Sequence, residues 1–460
     1  MLEITLLEKI NGMIWGVPVL ILMVSTGLYL TIKTHAAQVR LFPKGVYTFL
    51  GKGSPDEKKS SSRAMWTALA ATVGTGNLAG VAGAIALGGP GAVFWMWICG
   101  ILGMITKFAE ACLAVCYRQK NEYNEYVGGP MYMITNGMGH TYRWLACIYC
   151  FFGVVAAFGV GNATQINTVI DGANQVLMYI GKQSNQTTNL AMGIVLAVLV
   201  VSMLLGGAKR IGVIAEKLVP FASIMYLLFG AGVLLVCRHN ILPSVRSIIS
   251  GAFYPKAITG GTIGSAFIAL RVGASRGVFT NEAGMGTAAI AHSAADVSHP
   301  VIQGAMGIVE VFIDTIVICT MTALVILSSG IHITYGVDRG IQITMEAFQS
   351  VYGSWISIPI TVALCLFALA TVLGWSLYGG RCAQFLFGEK AWRKFVMLQG
   401  VTIIISSILA TGTVWTISEI VNGLMAIPNL IALGYLSPEL LKLLHDYEKR
   451  KNRHARKAHA

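Results

Sequence analysis

The sequence is poor in charged residues. Only 12% of its 460 residues are Asp, Glu, Lys or Arg, and Asp and Glu together number 20. A soluble domain carries about a quarter charged residues, because its surface must be hydrated. With 55% hydrophobic residues and a mean hydropathy of +0.68, most of this chain's surface must face lipid. The composition predicts a polytopic membrane protein.

The sequence also lacks the patterns that enzymes and metal proteins carry. Its nine cysteines fall mostly in apolar runs without metal-type pairing, and no nucleophile stands at a catalytic spacing from a base. His292 and His299 fall between two apolar runs, where surface histidines are expected. The first residues have no basic stretch ahead of the first apolar run, so we expect no cleavable signal peptide. The pattern does not favour an enzyme.

Long apolar runs are abundant. A bilayer core of about 30 Å needs about 20 apolar residues per helix. The sequence contains eleven such runs, which we number spans 1 to 11: 12–32, 64–86, 91–117, 143–168, 189–206, 211–237, 261–285, 301–329, 355–379, 395–413 and 415–436. Two amphipathic stretches, 241–256 and 340–352, are predicted to lie at the membrane interface.

The basic residues predict the orientation in the membrane. Lys and Arg concentrate in the 33–63 loop, at the turn between spans 5 and 6, in the loop between spans 9 and 10, and after Leu441. With eleven spans, all of these lie on one side, which places the N-terminus outside and the C-terminus in the cytoplasm of a cell (inner) membrane protein. The basic tail is expected to contact anionic membrane lipid and not nucleic acid.

The clearest functional signal is an internal repeat. Spans 2 and 7 both carry small and polar residues where a membrane helix is normally apolar. Because five spans separate their starts, the two halves run in opposite directions, which is typical of transporters with a site at the bilayer midplane. The expected organisation is an N-terminal region (1–63), a first repeat (64–240), a connection with the second repeat (241–437), and a tail (438–460).

Span 2 contains the run Gly74-Thr75-Gly76-Asn77. Two glycines remove Cβ atoms where a ligand would approach the backbone, and an unwound helix frees carbonyl and amide groups for an ion and a substrate. Thr75 and Asn77 add oxygen donors of the kind that an alkali cation prefers. A packing face of small residues is the alternative interpretation.

In span 7, Gly273 and Gly277 bracket Ala274 and Ser275, which predicts a second break there. Arg271, Arg276 and Glu282 are costly in hydrocarbon. For Arg276 and Glu282 we favour structural or gating ion pairs over a substrate role.

Other polar residues in the spans are candidates for the same site. Gln165 of span 4 has an amide that both donates and accepts, and Thr371 of span 9 lies one turn from Trp375. Each of the three is also compatible with ordinary helix packing. Span 3 carries Lys107 and Glu110, and span 8 carries Glu310 and Asp314 on one helical face. The two span 8 carboxylates require a shared proton or a basic partner, such as an arginine of span 7.

At these residues the sequence resembles the alanine or glycine:cation symporter family. The resembling stretches are ALAATVGTGNLAGVAGAIALGGPGAVFWMW, GGPMYMI, RGVFTNEAGMGTAAIAHSAA, EVFIDTIVICTMTALVI and TVLGWSLYG, between about residues 64 and 380. Two departures occur: Leu377-Tyr378-Gly379-Gly380 replaces the usual Tyr-Tyr-Gly-Glu, and Ala274-Ser275 stands where Val-Ala is commoner. The second departure puts the pocket shape, and so the substrate, in question.

The resemblance implies an all-α protein of eleven transmembrane helices with a LeuT-type 5+5 inverted-repeat core that imports alanine or glycine with Na⁺ by alternating access. It implies substrate contacts from Thr75, Gly76, Asn77 and Gln165, backbone from Gly273, Ala274 and Ser275, and a pocket wall at Trp375. It places sodium near the carbonyls of Ala70 and Val73, opposite Thr371.

Two other transport functions stay open, a glutamine-preferring and a proton-coupled symporter. A channel or membrane receptor is a more distant alternative, against which the paired breaks argue. The sequence leaves the preferred amino acid and the oligomeric state undetermined.

Overall fold

A computed structural model of the chain describes residues 2–14, 17–51, 55–122, 124–254, 266–409 and 411–458. The described residues are almost entirely helical, with one short antiparallel pair of strands, Gln119–Lys120 and Tyr126–Val127, in the loop after span 3. Because a helix satisfies its backbone groups internally, helices are the expected way for so apolar a chain to cross a bilayer.

Each predicted span contains a helix. Their bounds, in chain order and including interruptions and connections, are Leu2–Ile14, Val17–Lys33, Ala37–Arg40, Phe42–Phe49, Pro55–Thr72, Gly76–Gly80, Val81–Gly88, Gly91–Cys116, Pro130–Tyr132, Met133–Met138, His140–Tyr142, Arg143–Phe158, Gly159–Ala163, Thr164–Tyr179, Gln186–Leu204, Gly207–Val236, Arg238–Phe253, Ala266–Asn281, Thr287–His292, Pro300–Val311, Phe312–Cys319, Thr320–Ser328, Ile341–Tyr352, Ser354–Ile356, Ser357–Phe387, Ala391–Ser406 and Thr411–Ala458.

Within the described residues, eight helices are long and apolar enough to cross a membrane, or nine when the bent segments of span 2 count as one. The helices of spans 7 and 10, Ala266–Asn281 and Ala391–Ser406, have 16 residues each, fewer than the ~20 that span a bilayer. The start of predicted span 7, 261–265, lies outside the described residues. The polytopic helical architecture is therefore confirmed, and the count of eleven stays a prediction.

The spans that the repeat pattern singles out lie together in the interior. Span 3 packs against the helices of spans 7 and 8, and span 9 packs against spans 2, 4 and 6. Polar side chains in these spans are buried, among them Thr75, Asn77, Gln165 and Thr371. Burial of so many polar groups in apolar surroundings is costly unless they bond to one another, so this interior is where a functional site is expected.

Three of the interior spans contain π-helical segments. These are Gly76–Gly80 in span 2, Gly159–Ala163 in span 4 and Phe312–Cys319 in span 8. A π-helical turn leaves the regular α-helical hydrogen-bond ladder, and such turns occur frequently at functional sites. Hydrogen bonds link the segments of spans 4 and 8 to the break in span 2.

Candidate functional site

Span 2 is broken at the predicted run. Its helix Pro55–Thr72 ends three residues before Thr75, and the helical segment from Gly76 runs in a direction that differs by 52°. The Gly74 amide donates to Asn77 Oδ1 at 2.9 Å, and the Thr75 amide reaches Gln165 Oε1 at 3.5 Å. In a continuous α-helix those amides would donate to the carbonyls four residues earlier. The predicted break in span 2 is therefore confirmed.

Gln165 of span 4 faces this break. Thr75 Oγ1 donates to Gln165 Oε1 at 2.9 Å, and Gln165 Nε2 donates to the Val160 carbonyl at 3.1 Å. Thr75 and Gln165 are both buried. The π-helical segment just before Gln165 supplies the carbonyl that orients its amide. Two residues 90 positions apart are thus joined at the interrupted points of their helices.

Span 9 closes the other side of the break. A Cβ added to Gly74 would lie 2.4 Å from Thr371 Oγ1 and 3.5 Å from Gln165 Oε1. A Cβ added to Gly161 would lie 2.2 Å from Trp375 Cβ. Glycine at these two positions therefore allows spans 2 and 4 to approach span 9 this closely. The structure brings Thr371 and Trp375 to the same site as the span 2 break and Gln165.

The break in span 7 is not where the sequence predicted it. Gly273, Ala274 and Ser275 lie in the continuous helix Ala266–Asn281, and a Cβ on Gly273 would meet the Ala92 carbonyl at 2.2 Å. That glycine serves the packing of spans 7 and 3. Ser275 lines a cavity of about 250 Å³ with Arg271, Arg276 and Glu419.

The chain instead leaves the helix after Asn281. Glu282 has φ +55°, Gly284 +94° and Gly286 +75°, and a new helix starts at Thr287. The positive φ angles explain the two glycines, because the left-handed region strains residues with a Cβ. The signal was present in the sequence, since Gly284-Met285-Gly286 repeats the spacing of Gly74-Thr75-Gly76. Our interpretation followed the wrong glycine pair.

The residues of span 7 that face Gly76 are Phe279 and Thr280. A Cβ on Gly76 would lie 3.3 Å from Thr280 Cγ2 and 3.5 Å from Phe279 Cδ1. Glu282 is joined to the same region, because Trp375 Nε1 donates to its Oε1 at 2.6 Å and Thr287 Oγ1 donates to its Oε2 at 2.6 Å. The predicted ion pair of Glu282 is therefore wrong, because its partners among the described residues are an indole and a hydroxyl. The sequence analysis gave Phe279 and Thr280 no role.

Asn77 holds the break in place and joins it to span 8. Its Oδ1 accepts from the Gly74 amide, and its Nδ2 donates to Asp314 Oδ1 at 2.7 Å. Asp314 lies in the π-helical segment Phe312–Cys319 and is fully buried. Its partner is thus a neutral amide of span 2, which the spacing of charges along span 8 could not reveal.

The basic partner of Glu310 comes from span 3 and not from span 7. Lys107 Nζ lies 3.4 Å from Glu310 Oε1, and both side chains are fully buried. Arg276 of span 7 pairs instead with Glu419 at 2.8 Å and with Asp338 at 3.5 Å. The expected ion pairing of Arg276 is confirmed, and the suggestion that a span 7 arginine meets Glu310 was wrong.

Glu110 supports the second break. Its Oε1 accepts from the amides of Gly284 and Gly286, both at 3.0 Å, and from Asn429 Nδ2 at 2.7 Å. Backbone amides freed by the break therefore bind a carboxylate of span 3. Charge-assisted bonds of this kind are roughly twice as strong as neutral ones, which makes Glu110 a fixed support for the span 7 backbone.

The two histidines are not surface residues. His292 is fully buried, with Nε2 2.7 Å from Glu310 Oε2, and His299 is 6% exposed. His299 accepts from the Val301 amide and lies 3.4 Å from Asp446 of the tail helix. The expectation failed because the helix Thr287–His292, which forms the second segment of span 7 after its break, packs against spans 2 and 3.

Comparison with known proteins places the chain in a family. A family model described as the sodium:alanine symporter family matches residues 2–460. The sodium/alanine symporter AgcS of Methanococcus maripaludis is 38% identical over 94% of this chain and 95% of its own length. The probable sodium/glutamine symporter GlnT of Bacillus subtilis is 36% identical over 96% and 90% of the two chains.

The fold has a counterpart among solved structures. The crystal structure of MhsT in complex with L-phenylalanine superposes with a TM-score of 0.57 at 14% identity, covering 83% of this chain and 97% of that one. MhsT has the LeuT-type fold, so the likeness supports that fold for the present chain. Its family and its named relatives are transporters and not enzymes. The chain belongs to the sodium:alanine symporter family.

Proposed function

We propose that this protein imports alanine or glycine together with Na⁺ by alternating access. The observation that carries the proposal is the interrupted span 2, whose backbone lies between Gln165 on one side and Thr371 on the other. Family membership and the name of the relative AgcS support sodium and alanine as the solutes. A break at which ion and substrate share backbone groups couples them, because both then stabilise the same conformer.

The substrate's charged head groups would bind at the break. Thr75 and Gly76 offer backbone groups and a hydroxyl, Gln165 offers an amide, and Asn77 holds their geometry. The space around Gly76 is narrow, because even a Cβ added there would lie 3.3 Å from Thr280 and 3.5 Å from Phe279. Such a space favours a substrate with a side chain no larger than a methyl group. Trp375 forms a wall near Gly161.

We place the contribution of span 7 at Phe279 to Glu282, since Gly273, Ala274 and Ser275 lie in a continuous helix, with Gly273 against span 3 and Ser275 at the 250 Å³ cavity. This revises the residues that the resemblance implied. It leaves unchanged the principle that the two broken helices supply the site from opposite directions.

Sodium would bind between span 2 and span 9. Thr371 Oγ1 donates its proton to the Phe367 carbonyl at 3.0 Å, so its lone pairs remain for a cation. The same oxygen lies close to Gly74, and the family resemblance implies the carbonyls of Ala70 and Val73 as the other ligands. Hydroxyl and carbonyl oxygens are hard donors that suit an alkali cation. The donor set therefore fits Na⁺.

Sodium coupling would supply enough free energy. One positive charge moving inward across about 100 mV releases about 2.3 kcal/mol, before any concentration gradient is counted. A tenfold accumulation of a neutral zwitterion requires about 1.4 kcal/mol. One sodium ion per substrate therefore supports more than tenfold accumulation.

Glutamine is the second candidate substrate, because the relative GlnT carries that name and is nearly as similar as AgcS. Proton coupling is a second candidate for the driving ion, since another relative from Bacillus subtilis, 34% identical, is described as a putative sodium/proton-dependent alanine carrier. The narrow space at Gly76 favours alanine or glycine over glutamine.

The test is uptake of labelled alanine into proteoliposomes that contain the purified protein. We expect accumulation with external sodium and loss of accumulation when choline replaces sodium at constant pH. Competition by glycine, L-alanine, D-alanine, serine and glutamine then ranks the substrates. Sodium-independent uptake would refute sodium coupling, and competition by glutamine alone would refute a small-substrate site.

A further inference from the structure

A continuous chain of buried side chains lies apart from the proposed substrate site. It runs through Ser61, Gln303, His292, Glu310 and Lys107, each at most 1% exposed. Ser61 Oγ donates to Gln303 Oε1 at 2.6 Å, and Gln303 Nε2 lies 2.7 Å from His292 Nδ1. His292 Nε2 lies 2.7 Å from Glu310 Oε2, and Lys107 Nζ lies 3.4 Å from Glu310 Oε1.

The chain has a single direction of donation. Because Gln303 accepts through its oxygen from Ser61, its NH₂ group faces His292 and donates to Nδ1. His292 then carries its proton on Nε2 and donates it to the Glu310 carboxylate, whose other oxygen faces the Lys107 ammonium. Each link orients the next, so the loss of one link weakens its neighbours.

The five residues belong to four different spans. Ser61 lies in the first segment of span 2, Pro55–Thr72, and His292 ends the second segment of span 7, Thr287–His292. Gln303 and Glu310 lie in span 8, and Lys107 lies in span 3. The network reaches the segment of span 2 that precedes its break and the segment of span 7 that follows its break. These two segments contact each other.

The segment Pro55–Thr72 has neighbours in two groups. It touches the span 7 segment and span 8, and it also packs against spans 6 and 9. Apolar packing is non-directional, whereas a hydrogen bond weakens steeply when its geometry changes. At the same end, the ion pair that joins span 2 to span 6, Arg63–Glu216, is partly exposed at 3.4 Å, where such pairs contribute little. The buried polar attachment is therefore to spans 3, 7 and 8.

We propose that Ser61, Gln303, His292, Glu310 and Lys107 form a brace. The brace makes the segments Pro55–Thr72 and Thr287–His292 move together with spans 3 and 8 as one body when the transporter changes conformation. Without it, the segment of span 2 could swing on the flexible Gly74–Gly76 break by itself. The five are positioning residues, since they act through the broken helices and do not touch the proposed ion or substrate sites.

Amide hydrogen exchange of the full-length protein tests the brace. Ser61→Ala and Gln303→Ala should each raise the exchange rate of amides in 59–72 and 287–292 about two- to tenfold, which is the population change that loss of one hydrogen bond produces. Amides in spans 3 and 8 should keep their wild-type rates. Ser61→Thr retains the hydroxyl and should restore wild-type exchange.

Ser62→Ala is the matched control. Ser62 is the next residue of the same helix, and the hydrogen bonds found among the described residues do not include its side chain. We expect it to behave as wild type. Unchanged exchange in Ser61→Ala would overturn the proposal. An equal increase throughout 91–116 and 300–311 would also overturn it, because the network would then stabilise the whole fold. If Gln303→Ala does not fold, Ser61→Ala still decides.

A second arm follows motion in the wild-type protein. Addition of sodium and alanine should change protection in 59–72, 287–292 and spans 3 and 8 together, and in Ser61→Ala the change in 59–72 should separate from the others. A wild-type change confined to 59–72 would overturn the brace. Only this arm rests on the proposed function. Failure of alanine uptake in proteoliposomes would therefore refute that function while the substrate-free exchange result stands.

Discussion

The contact between Gly74 of span 2 and Thr371 of span 9 leads to the sharpest prediction. In Gly74→Ala the new Cβ would lie 2.4 Å from Thr371 Oγ1, against 3.4 Å for an ordinary contact. The overlap of about 1 Å can be relieved if the two spans separate, or if Thr371 rotates about χ1. Either response removes the Thr371 oxygen from the proposed sodium site.

The size of the effect follows from the overlap. Overpacking of a well-packed interior costs about 1–3 kcal/mol. If that cost falls on the sodium-bound conformer, sodium affinity decreases about 5- to 150-fold, at 1.4 kcal/mol per factor of ten. We expect the sodium concentration for half-maximal alanine uptake to rise by that factor, with a smaller change in maximal uptake at saturating sodium.

The assay is alanine uptake into proteoliposomes over a series of sodium concentrations at constant ionic strength. Gly434→Ala is the matched control, because Gly434 lies in a helix and a Cβ there would meet nothing within 4 Å. The control should have wild-type sodium dependence. Normal sodium dependence in a folded Gly74→Ala protein would refute the placement of sodium between spans 2 and 9.

Trp375→Phe removes the indole donor to Glu282. A bond to a charged group contributes about 1.5–3 kcal/mol, so alanine KM should rise more than tenfold while the protein stays folded. Lys107→Met leaves Glu310 buried without its ammonium partner. That loss should cost about 3–5 kcal/mol, seen as a clearly lower Tm in detergent. Burial lowers the pKa of His299 below its usual value, and Arg450 adds to that effect against the opposing contact with Asp446. The neutral form is therefore favoured in the folded protein, so the free energy of unfolding should decrease as pH falls below about 6.5, measured as a lower Tm in detergent.

Each of these has an outcome that would contradict it. An unchanged alanine KM in Trp375→Phe would remove the Glu282 contact from the site. A wild-type Tm in Lys107→Met would mean that Glu310 does not depend on Lys107 for compensation. An unchanged pH dependence of Tm in His299→Gln would exclude His299 as the titrating group.

Much of the fold could be predicted because the bilayer acts on local sequence. A run of about 20 apolar residues must become a helix to satisfy its own backbone, wherever it lies in the protein. The break in span 2 was predictable for the same reason, since Gly74 and Gly76 weaken the helix locally. Gln165, Thr371 and Trp375 were singled out as polar or aromatic exceptions in apolar spans, and the structure brings all three to that break.

The position of the break in span 7 could not be predicted from neighbouring residues alone. Gly273–Gly277 and Gly284–Gly286 are both glycine pairs, and both are compatible with an interrupted helix. The difference lies in partners remote in sequence: Gly273 packs against the Ala92 carbonyl, whereas the amides of Gly284 and Gly286 bind Glu110. A packing contact stabilises the helix, and a carboxylate acceptor for free amides stabilises its interruption.

The sequence by itself determined that this chain is a helical membrane protein with a broken span 2, and its motifs were sufficient to indicate the family. The tertiary structure alone decided which buried charges pair, where span 7 breaks and that His292 is internal. The physical reason is that hydropathy and glycine content act over a few neighbouring residues. The free energy of a buried carboxylate, ammonium or imidazole depends instead on whichever partner the fold brings within about 3 Å, and such partners lie as far apart in sequence as Glu110 and Asn429.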